Sequence, residues 1–158
     1  MHDRDFDIIV VGAGHAAVEA SLAAARLGWR VAVVTLSMRH VAEMPCNPAI
    51  GGLAKGQLVR EIDALGGEMG LAADETGLQF RMLNMGRGPA VRSPRAQSDK
   101  WAYHTRMLHA LRSQRGVFLV QDRVEEILVT GGSVIGVGLT NHKQLTSKSV
   151  VLTTGTFL

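Results

Sequence analysis

Cys46 is the first residue of this sequence whose chemistry stands out, because it is the single cysteine among 158 residues. It lies in the segment Met44-Pro45-Cys46-Asn47-Pro48, where two prolines restrict the backbone on both sides. A predicted helix begins shortly afterwards, and a thiol near a helix N-terminus ionises more readily and becomes a better nucleophile. The alternative is a buried, inert cysteine, and the residues alone leave both interpretations open.

The cysteine count also excludes several kinds of site. One cysteine cannot form an internal disulfide, a zinc site of several cysteines, or a C-x-x-C redox pair. His104 and His109 are not four residues apart, and we predict no metal site. The composition, 46% hydrophobic and 20% charged, is typical of a globular domain. The first residues, MHDRD, are polar and the apolar run after them is too short for a signal sequence or a membrane span, which predicts a cytoplasmic protein without a membrane segment.

A second candidate is a basic stretch that contains only one acidic residue, Asp99. Its five cations are Arg81, Arg87, Arg92, Arg95 and Lys100. Arginine suits bidentate contacts to phosphate, so this stretch could bind the phosphates of a nucleotide cofactor or of RNA. The net charge of +3 is compatible with a nucleic-acid partner. The alternative is a solvated surface loop.

The third candidate is the glycine turn within residues 6–35, which have the order strand, turn, helix, strand. Residues 8–11 and 31–34 are unbroken apolar runs, typical of parallel strands buried on both faces. Between them, Gly12 permits a tight turn, Gly14 lets a pyrophosphate approach the main chain, and Ala17 is small enough for the helix to pack on the strand. A helix that begins here offers N–H groups and a partial positive charge to phosphates. The segment therefore predicts a dinucleotide site.

One position departs from that fingerprint. An acidic residue normally ends the second strand and binds the ribose hydroxyls, whereas this sequence has Thr35, followed by Ser37. Hydroxyl groups could replace the carboxylate with weaker binding. The alternative is that Gly12 and Gly14 only form a compact turn in an α/β domain that binds no ligand.

Periodicity and turn signals predict the elements that position these residues. They are a loop over 36–52, a helix over 53–65, a strand over 77–83, a loop over 86–98, a helix over 99–115, and β runs at 117–120, 124–129, 134–140 and 150–153. We therefore predict an α/β fold, a Rossmann-like domain with a parallel sheet and an added small antiparallel β element. The turn at Thr153-Thr154-Gly155-Thr156 resembles the return of a flavoprotein chain to its cofactor. Because the sequence stops there, it is expected to be the N-terminal part of a longer protein.

Five stretches of the sequence resemble the MnmG (GidA) family, the FAD-dependent tRNA wobble-uridine modification enzymes. They are GAGHAAVEA, MPCNPAIGGLAKGQLVREIDALGG, GLQFRMLN, GRGPAVRSPRAQSD and VVLTTGTFL. The block from CNPAIGG to DALGG is the most specific of these. The resemblance covers the chain essentially from end to end.

The resemblance implies roles for particular residues. The FAD pyrophosphate turn would consist of Gly12, Ala13, Gly14, His15, Ala16 and Ala17. Val124 would contact the adenine end through its backbone, and Cys46 matches a cysteine that the family uses in chemistry on the uridine. Ala17 stands where the family has a glycine, a change that close packing tolerates.

The resemblance also implies that 1–158 is the FAD-binding domain of a longer, dimeric protein. Such a protein has an NAD(H)-binding insertion, a second reactive cysteine and a C-terminal helical domain that meets an MnmE-type GTPase. With that partner it adds an aminomethyl or carboxymethylaminomethyl group at carbon 5 of the wobble uridine, using reduced flavin and a folate-derived one-carbon unit. The alternatives are a general FAD/NADH oxidoreductase, a non-catalytic nucleotide-binding remnant, and the related folate-dependent tRNA methyltransferase TrmFO.

Overall fold

The computed structural model describes residues 5–155, apart from the side chain of Asn141. Within these residues the chain forms four α-helices and nine β-strands. In chain order they are β1 (Phe6–Val11), α1 (His15–Arg26), β2 (Val31–Thr35), β3 (Ala49–Gly51), α2 (Lys55–Ala64), α3 (Met69–Thr76), β4 (Gly77–Leu83), β5 (Ser93–Ser98), α4 (Lys100–Ser113), β6 (Val117–Gln121), β7 (Val124–Thr130), β8 (Ser133–Leu139) and β9 (Gln144–Leu152). None of the helices in this described range is long and apolar enough to cross a lipid bilayer.

The chain divides into two compact units. The first unit comprises Met1–Val41 and Ala110–Leu158, and the second comprises Ala42–His109. Helix α4 spans the boundary between them in sequence. Each unit has its own β-sheet.

The first unit contains a six-stranded mixed sheet in the order β6-β2-β1-β9-β8-β7. The first four strands are parallel, with Ile9 opposite Ala32 and Val150, and β9, β8 and β7 continue the sheet as antiparallel neighbours. This confirms the predicted parallel sheet with an added antiparallel element. The predicted run at 150–153 is the end of a longer strand, because β9 begins at Gln144 to pair with β8.

The core of the first unit lies on the parallel strands. Its buried cluster consists of Ile9, Val11, Ala32, Val34, Val137 and Leu139. The strand residues that alternate with these, such as Val10 and Val33, are also fully buried, as the unbroken apolar runs predict for strands covered on both faces. Helix α1 packs against β1 and β2 through buried residues that include Val18 and Leu22.

The second unit contains a three-stranded antiparallel sheet in the order β3-β5-β4. Strand β4 matches the predicted strand over 77–83. The prediction of a loop over 86–98 is wrong in its second half, because β5 lies at the centre of this sheet and pairs with both neighbours. Its buried positions, Ser93, Ala96 and Ser98, are small or polar and so give no apolar strand signal. The loop predicted over 36–52 likewise contains β3, and helix α3 was not predicted.

Helix α2 confirms the helix predicted over 53–65, but its burial differs from an ordinary amphipathic helix. Leu58 is 57% exposed, and within the helix only Gly56 is buried. A Cβ at Gly56 would lie 2.7 Å from the carbonyl oxygen of Pro94. The helix therefore approaches β5 through a glycine, while apolar side chains remain on its exposed side.

Candidate functional site

A cleft of about 580 Å³ lies in the first unit at the carboxyl ends of its parallel strands. Strands β2 and β9 flank β1 on opposite sides, so the chain reverses its direction of winding at β1. Open α/β sheets bind nucleotides in the crevice at such a reversal. Gly12 follows β1 and Thr153 follows β9, and both line this cleft.

Gly12 is required by the fold itself. Its φ of +109° lies in a region that favours glycine. A Cβ at this position would lie 2.5 Å from the carbonyl oxygen of Thr153. Thr153 is fixed there because its backbone N–H and its hydroxyl both donate to the carbonyl of Val11, at 2.9 and 2.8 Å.

Gly14 has a different environment. It is the N-cap of α1, with φ −72° and ψ −175°, an extended conformation that any residue can adopt. A Cβ here would meet no atom within 4 Å, and the residue is exposed and lines the cleft. Among the described residues no side chain caps α1, and its first turn has no acidic residue. The N–H groups and positive dipole end of α1 therefore lie at an open, uncompensated position, which suits an anionic ligand.

Of the other residues in the predicted turn, some are buried and contribute to packing, and one is exposed. Ala13 is buried, and Ala17 is completely buried, as close packing of a helix on a strand requires. Ala16 is exposed. His15 is half-buried, and burial lowers the pKa of its imidazole, which favours the neutral form.

The far side of the cleft is formed by the ends of β2, β6 and β7. Thr35, Ser37 and Val124 all line it, so the structure brings the predicted adenine-end residue and the glycine turn to one cleft. Val124 begins β7, where the register with β8 shifts. Asp122 also lines the cleft and was not singled out from the sequence. Its signal was its position just beyond the apolar run at 117–120, because ligand-binding residues follow the carboxyl ends of parallel strands.

Cys46 lies in the second unit and is exposed. It is therefore not the buried, inert cysteine of the alternative interpretation. The residues around it are anchored. Met44 is buried, the amide oxygen of Asn47 accepts from Arg95 at 3.4 Å, and the carbonyl of Pro48 accepts from the N–H of Ser98 at 3.0 Å. The predicted helix begins after Cys46, as α2 at Lys55, but strand β3 lies between them, so the thiol is not directly at the helix N-terminus. The thiol instead lies in an exposed loop held at both ends.

The cations of the basic stretch have different surroundings. Lys100 forms an ion pair with Glu43, with 2.9 Å between Nζ and Oε1. Arg81 and Arg95 lie directly opposite each other on β4 and β5, an arrangement that is destabilising for like charges. Both line a cleft of about 460 Å³ in the second unit. The structure therefore brings two of the five predicted cations together at one cavity.

No group of three or more histidine, cysteine, aspartate or glutamate side chains within residues 5–155 is arranged to hold a metal ion. The two clefts and the exposed thiol are thus the features that carry the functional interpretation.

Comparison with known proteins shows the family. The sequence model of the family described as Glucose inhibited division protein A matches residues 7–158, nearly the whole chain. The chain belongs to the GidA family. This confirms the resemblance that the glycine turn and the CNPAIGG block predict.

Relatives within the GidA family extend well beyond this chain. The chain is 55% identical over 156 residues to "tRNA uridine 5-carboxymethylaminomethyl modification enzyme MnmG" of Streptococcus thermophilus, covering 99% of this chain and 25% of that protein. A relative of the same name from Desulfitobacterium hafniense is 54% identical over 98% of this chain and 24% of its own length. The chain thus spans about a quarter of the length of these relatives.

Solved structures of the GidA family share the fold. The structure of Aquifex aeolicus GidA superposes with a TM-score of 0.94 at 51% identity, covering 99% of this chain and 26% of that one. A more distant neighbour, pqsL of Pseudomonas aeruginosa, is titled "a probable FAD-dependent monooxygenase" and has a TM-score of 0.63 at 16% identity, over 92% of this chain and 41% of its own. The distant likeness shows a shared fold.

Proposed function

We propose that the cleft of the first unit binds FAD, and that the chain is the cofactor-binding part of an enzyme that modifies the wobble uridine of tRNA. The observation that carries the cofactor assignment is Gly14, exposed at the open N-terminus of α1 in a cleft at the carboxyl edge of a parallel sheet. Nothing in the described chain requires glycine there, whereas a bound pyrophosphate does.

In this proposal each part of the cleft has a separate role. The turn from Gly12 to Ala17 holds the pyrophosphate through backbone N–H groups and the helix dipole. The backbone of Val124 meets the adenine end. When bound, the flavin supplies redox chemistry, and the residues of this chain bind and orient it.

The proposed tRNA chemistry draws support from the names of the relatives, which describe modification at carbon 5 of a uridine. Because the chain spans 25% of such a protein, it is proposed to work as the N-terminal FAD-binding domain, residues 1–158, of a longer chain. NADH as a second cofactor, an MnmE-type GTPase partner, a homodimer and a cytoplasmic location belong to the same proposal and rest on the family resemblance.

Cys46 is proposed as the catalytic nucleophile. Chemistry at carbon 5 of uridine is commonly opened by a nucleophile that adds to the neighbouring ring carbon, or by a thiolate that carries the one-carbon unit. For a cysteine, either role needs an exposed sulfur in a fixed position. The exposed thiol, held between Met44 and the hydrogen-bonded Asn47 and Pro48, meets both demands.

A chimaera tests this function. Residues 7–158 of this chain replace the matching segment of the Streptococcus thermophilus relative, and modification of the wobble uridine is measured by mass spectrometry of digested tRNA. The chimaera is expected to restore modification in cells that lack the enzyme. Cys46→Ser is expected to lose nearly all modification while tRNA and FAD still bind, because an alcohol with a far higher pKa replaces the thiolate poorly.

Two results would contradict the proposal at different points. If the chimaera folds and binds the tRNA substrate of the Streptococcus thermophilus relative but never modifies it, this segment does not have the proposed tRNA function. Near-normal modification by Cys46→Ser, with Ser113→Ala as a control variant in a different element, would instead remove only the catalytic role of the cysteine.

A further inference from the structure

The missing acid of the second strand leaves the ribose end of the cleft without an obvious carboxylate. In dinucleotide-binding units the ribose hydroxyls reach the carboxyl end of that strand, where an acid accepts their hydrogen bonds. Here the position is Thr35, whose hydroxyl donates to the carbonyl of Ser37 at 3.4 Å. The Ser37 hydroxyl in turn accepts from the N–H of Arg39 at 3.2 Å. Each hydroxyl thus makes one hydrogen bond within its own loop, and neither carries a charge.

The neighbouring strand brings a carboxylate to the same edge. Strand β6 pairs in parallel with β2, with Gln121 opposite Thr35. Asp122 comes next, and its N–H donates to the carbonyl of Thr35 at 3.0 Å. Asp122, Thr35 and Gly14 line one cleft. A carboxyl group therefore lies one strand over from the position where the sequence lacks one.

The Asp122 side chain is held in place and charged. Its Oδ1 accepts from the N–H of Arg123 at 2.8 Å. That bond and a hydrogen bond from the Thr140 side chain hold the pKa of Asp122 below its ordinary value. The Arg123 guanidinium pairs with Glu125 at 2.7 Å. A carboxylate has about four acceptor sites, so the bonds from Arg123 and Thr140 still leave capacity for a ligand hydroxyl.

We propose that Asp122 accepts hydrogen bonds from the adenosine ribose hydroxyls of FAD and takes the place of the acid that β2 lacks. This inference rests on the proposed binding of FAD in the same cleft. It also accounts for how the site tolerates Thr35, because the charge comes from β6. A negative charge at this point disfavours ligands with a 2′-phosphate on that ribose.

The test removes the two partners of the contact in turn. The purified chain is titrated with FAD and with an FAD analogue whose adenosine ribose lacks both hydroxyls, and flavin fluorescence reports the affinity. Asp122→Ala should weaken FAD binding by roughly tenfold to a hundredfold, since a hydrogen bond to a charged group is lost. Asp122→Asn should weaken it less, and it keeps an oxygen to accept from Arg123. Neither variant should change the affinity of the dideoxy analogue.

A matched control is Glu126→Gln, which removes an exposed carboxylate of β7 that does not line the cleft; it should bind both flavins as the unchanged chain does. If both Asp122 variants bind FAD and the analogue with the affinities of the unchanged chain, the ribose contact is overturned and FAD binding stands. If the Asp122 variants weaken both ligands equally, the ribose assignment is also overturned. If the unchanged chain binds no FAD, the proposed function fails, and the inference fails with it.

Discussion

Gly12 and Gly14 belong to one motif, but the structure shows a different reason for glycine at each position. At Gly12 the backbone conformation and the carbonyl of Thr153 exclude a side chain. At Gly14 the space is open and the conformation is ordinary. Two residues that look equivalent in a sequence motif therefore separate into one that the fold needs and one that a ligand needs.

Substitution should separate these two reasons. We expect Gly12→Ala to lower the free energy of unfolding by about 2–5 kcal/mol, because it adds both a strained backbone and a steric overlap. Gly14→Ala should cost no more than about 1 kcal/mol, because alanine is a poorer N-cap than glycine but meets no atom there. Chemical denaturation of both variants measures the difference. Equal stability of the two would contradict the assignment of Gly12 to the fold.

His15 should make stability depend on pH. Burial lowers the pKa of its imidazole from 6.5, so the unfolded chain binds this proton at a higher pH than the folded chain. The contribution of neutral His15 to the free energy of unfolding is therefore fully present above pH 6.5. It is lost as the pH falls from 6.5 toward the folded-state pKa, by at most about 1.4 kcal/mol per pH unit.

The His15→Gln variant isolates that effect from the other titrating groups. Urea unfolding at about pH 7.5 and about pH 5.5 should show a smaller loss of stability in the variant than in the unchanged chain. If both proteins lose the same amount between these pH values, His15 does not contribute to the pH dependence.

At the scale of elements, the sequence predicts those with a strong apolar pattern and misses those without one. Strands β1 and β2 were predicted from their unbroken apolar runs, and helix α4 from the helical spacing of its apolar residues. Strand β5 was missed because its buried side of serine and alanine makes its contacts through small residues. Helix α2 was predicted, but its contact with β5 through Gly56 could not be predicted, because a glycine adds nothing to an apolar pattern.

The pairing of β4 with β5 gives the basic stretch a function that can be tested. Arg81 and Arg95 are cross-strand partners that line one cleft, and a phosphate bound there would offset the repulsion between their like charges. If that phosphate belongs to tRNA, Arg81→Ala in the chimaera should weaken tRNA binding and reduce the slope of log affinity against log salt by about 1.

Arg112→Ala is the control, because Arg112 is an exposed arginine of α4 that does not line this cleft. An unchanged slope in Arg81→Ala together with weaker FAD binding would assign the phosphate to the cofactor. If variants at Arg81 and Arg95 change neither the affinity for tRNA nor that for FAD, the remaining interpretation is that the basic stretch is a solvated surface.

At the scale of the whole molecule, the fold class and the family were within reach of the sequence, and much of the site geometry was not. The position of the glycine turn could be predicted from residues 6–35, because the residue types of a strand, a tight turn and a helix depend on local backbone conformation. Asp122 was missed because its neighbour across the sheet, Thr35, is 87 residues away along the chain, and parallel pairing brings them together. The exposure of Cys46 likewise depends on tertiary anchoring of its loop.

The central claim is that the open N-terminus of α1 binds the pyrophosphate of FAD. Its most direct test is titration of the purified chain with FAD and, separately, with NAD, alongside the Gly14→Val variant. We predict that FAD binds more tightly than NAD, and that Gly14→Val abolishes FAD binding without lowering the melting temperature, because the β-branched side chain occupies the space of the pyrophosphate. Tighter binding of NAD, or undiminished FAD affinity in the folded Gly14→Val variant, would contradict the account.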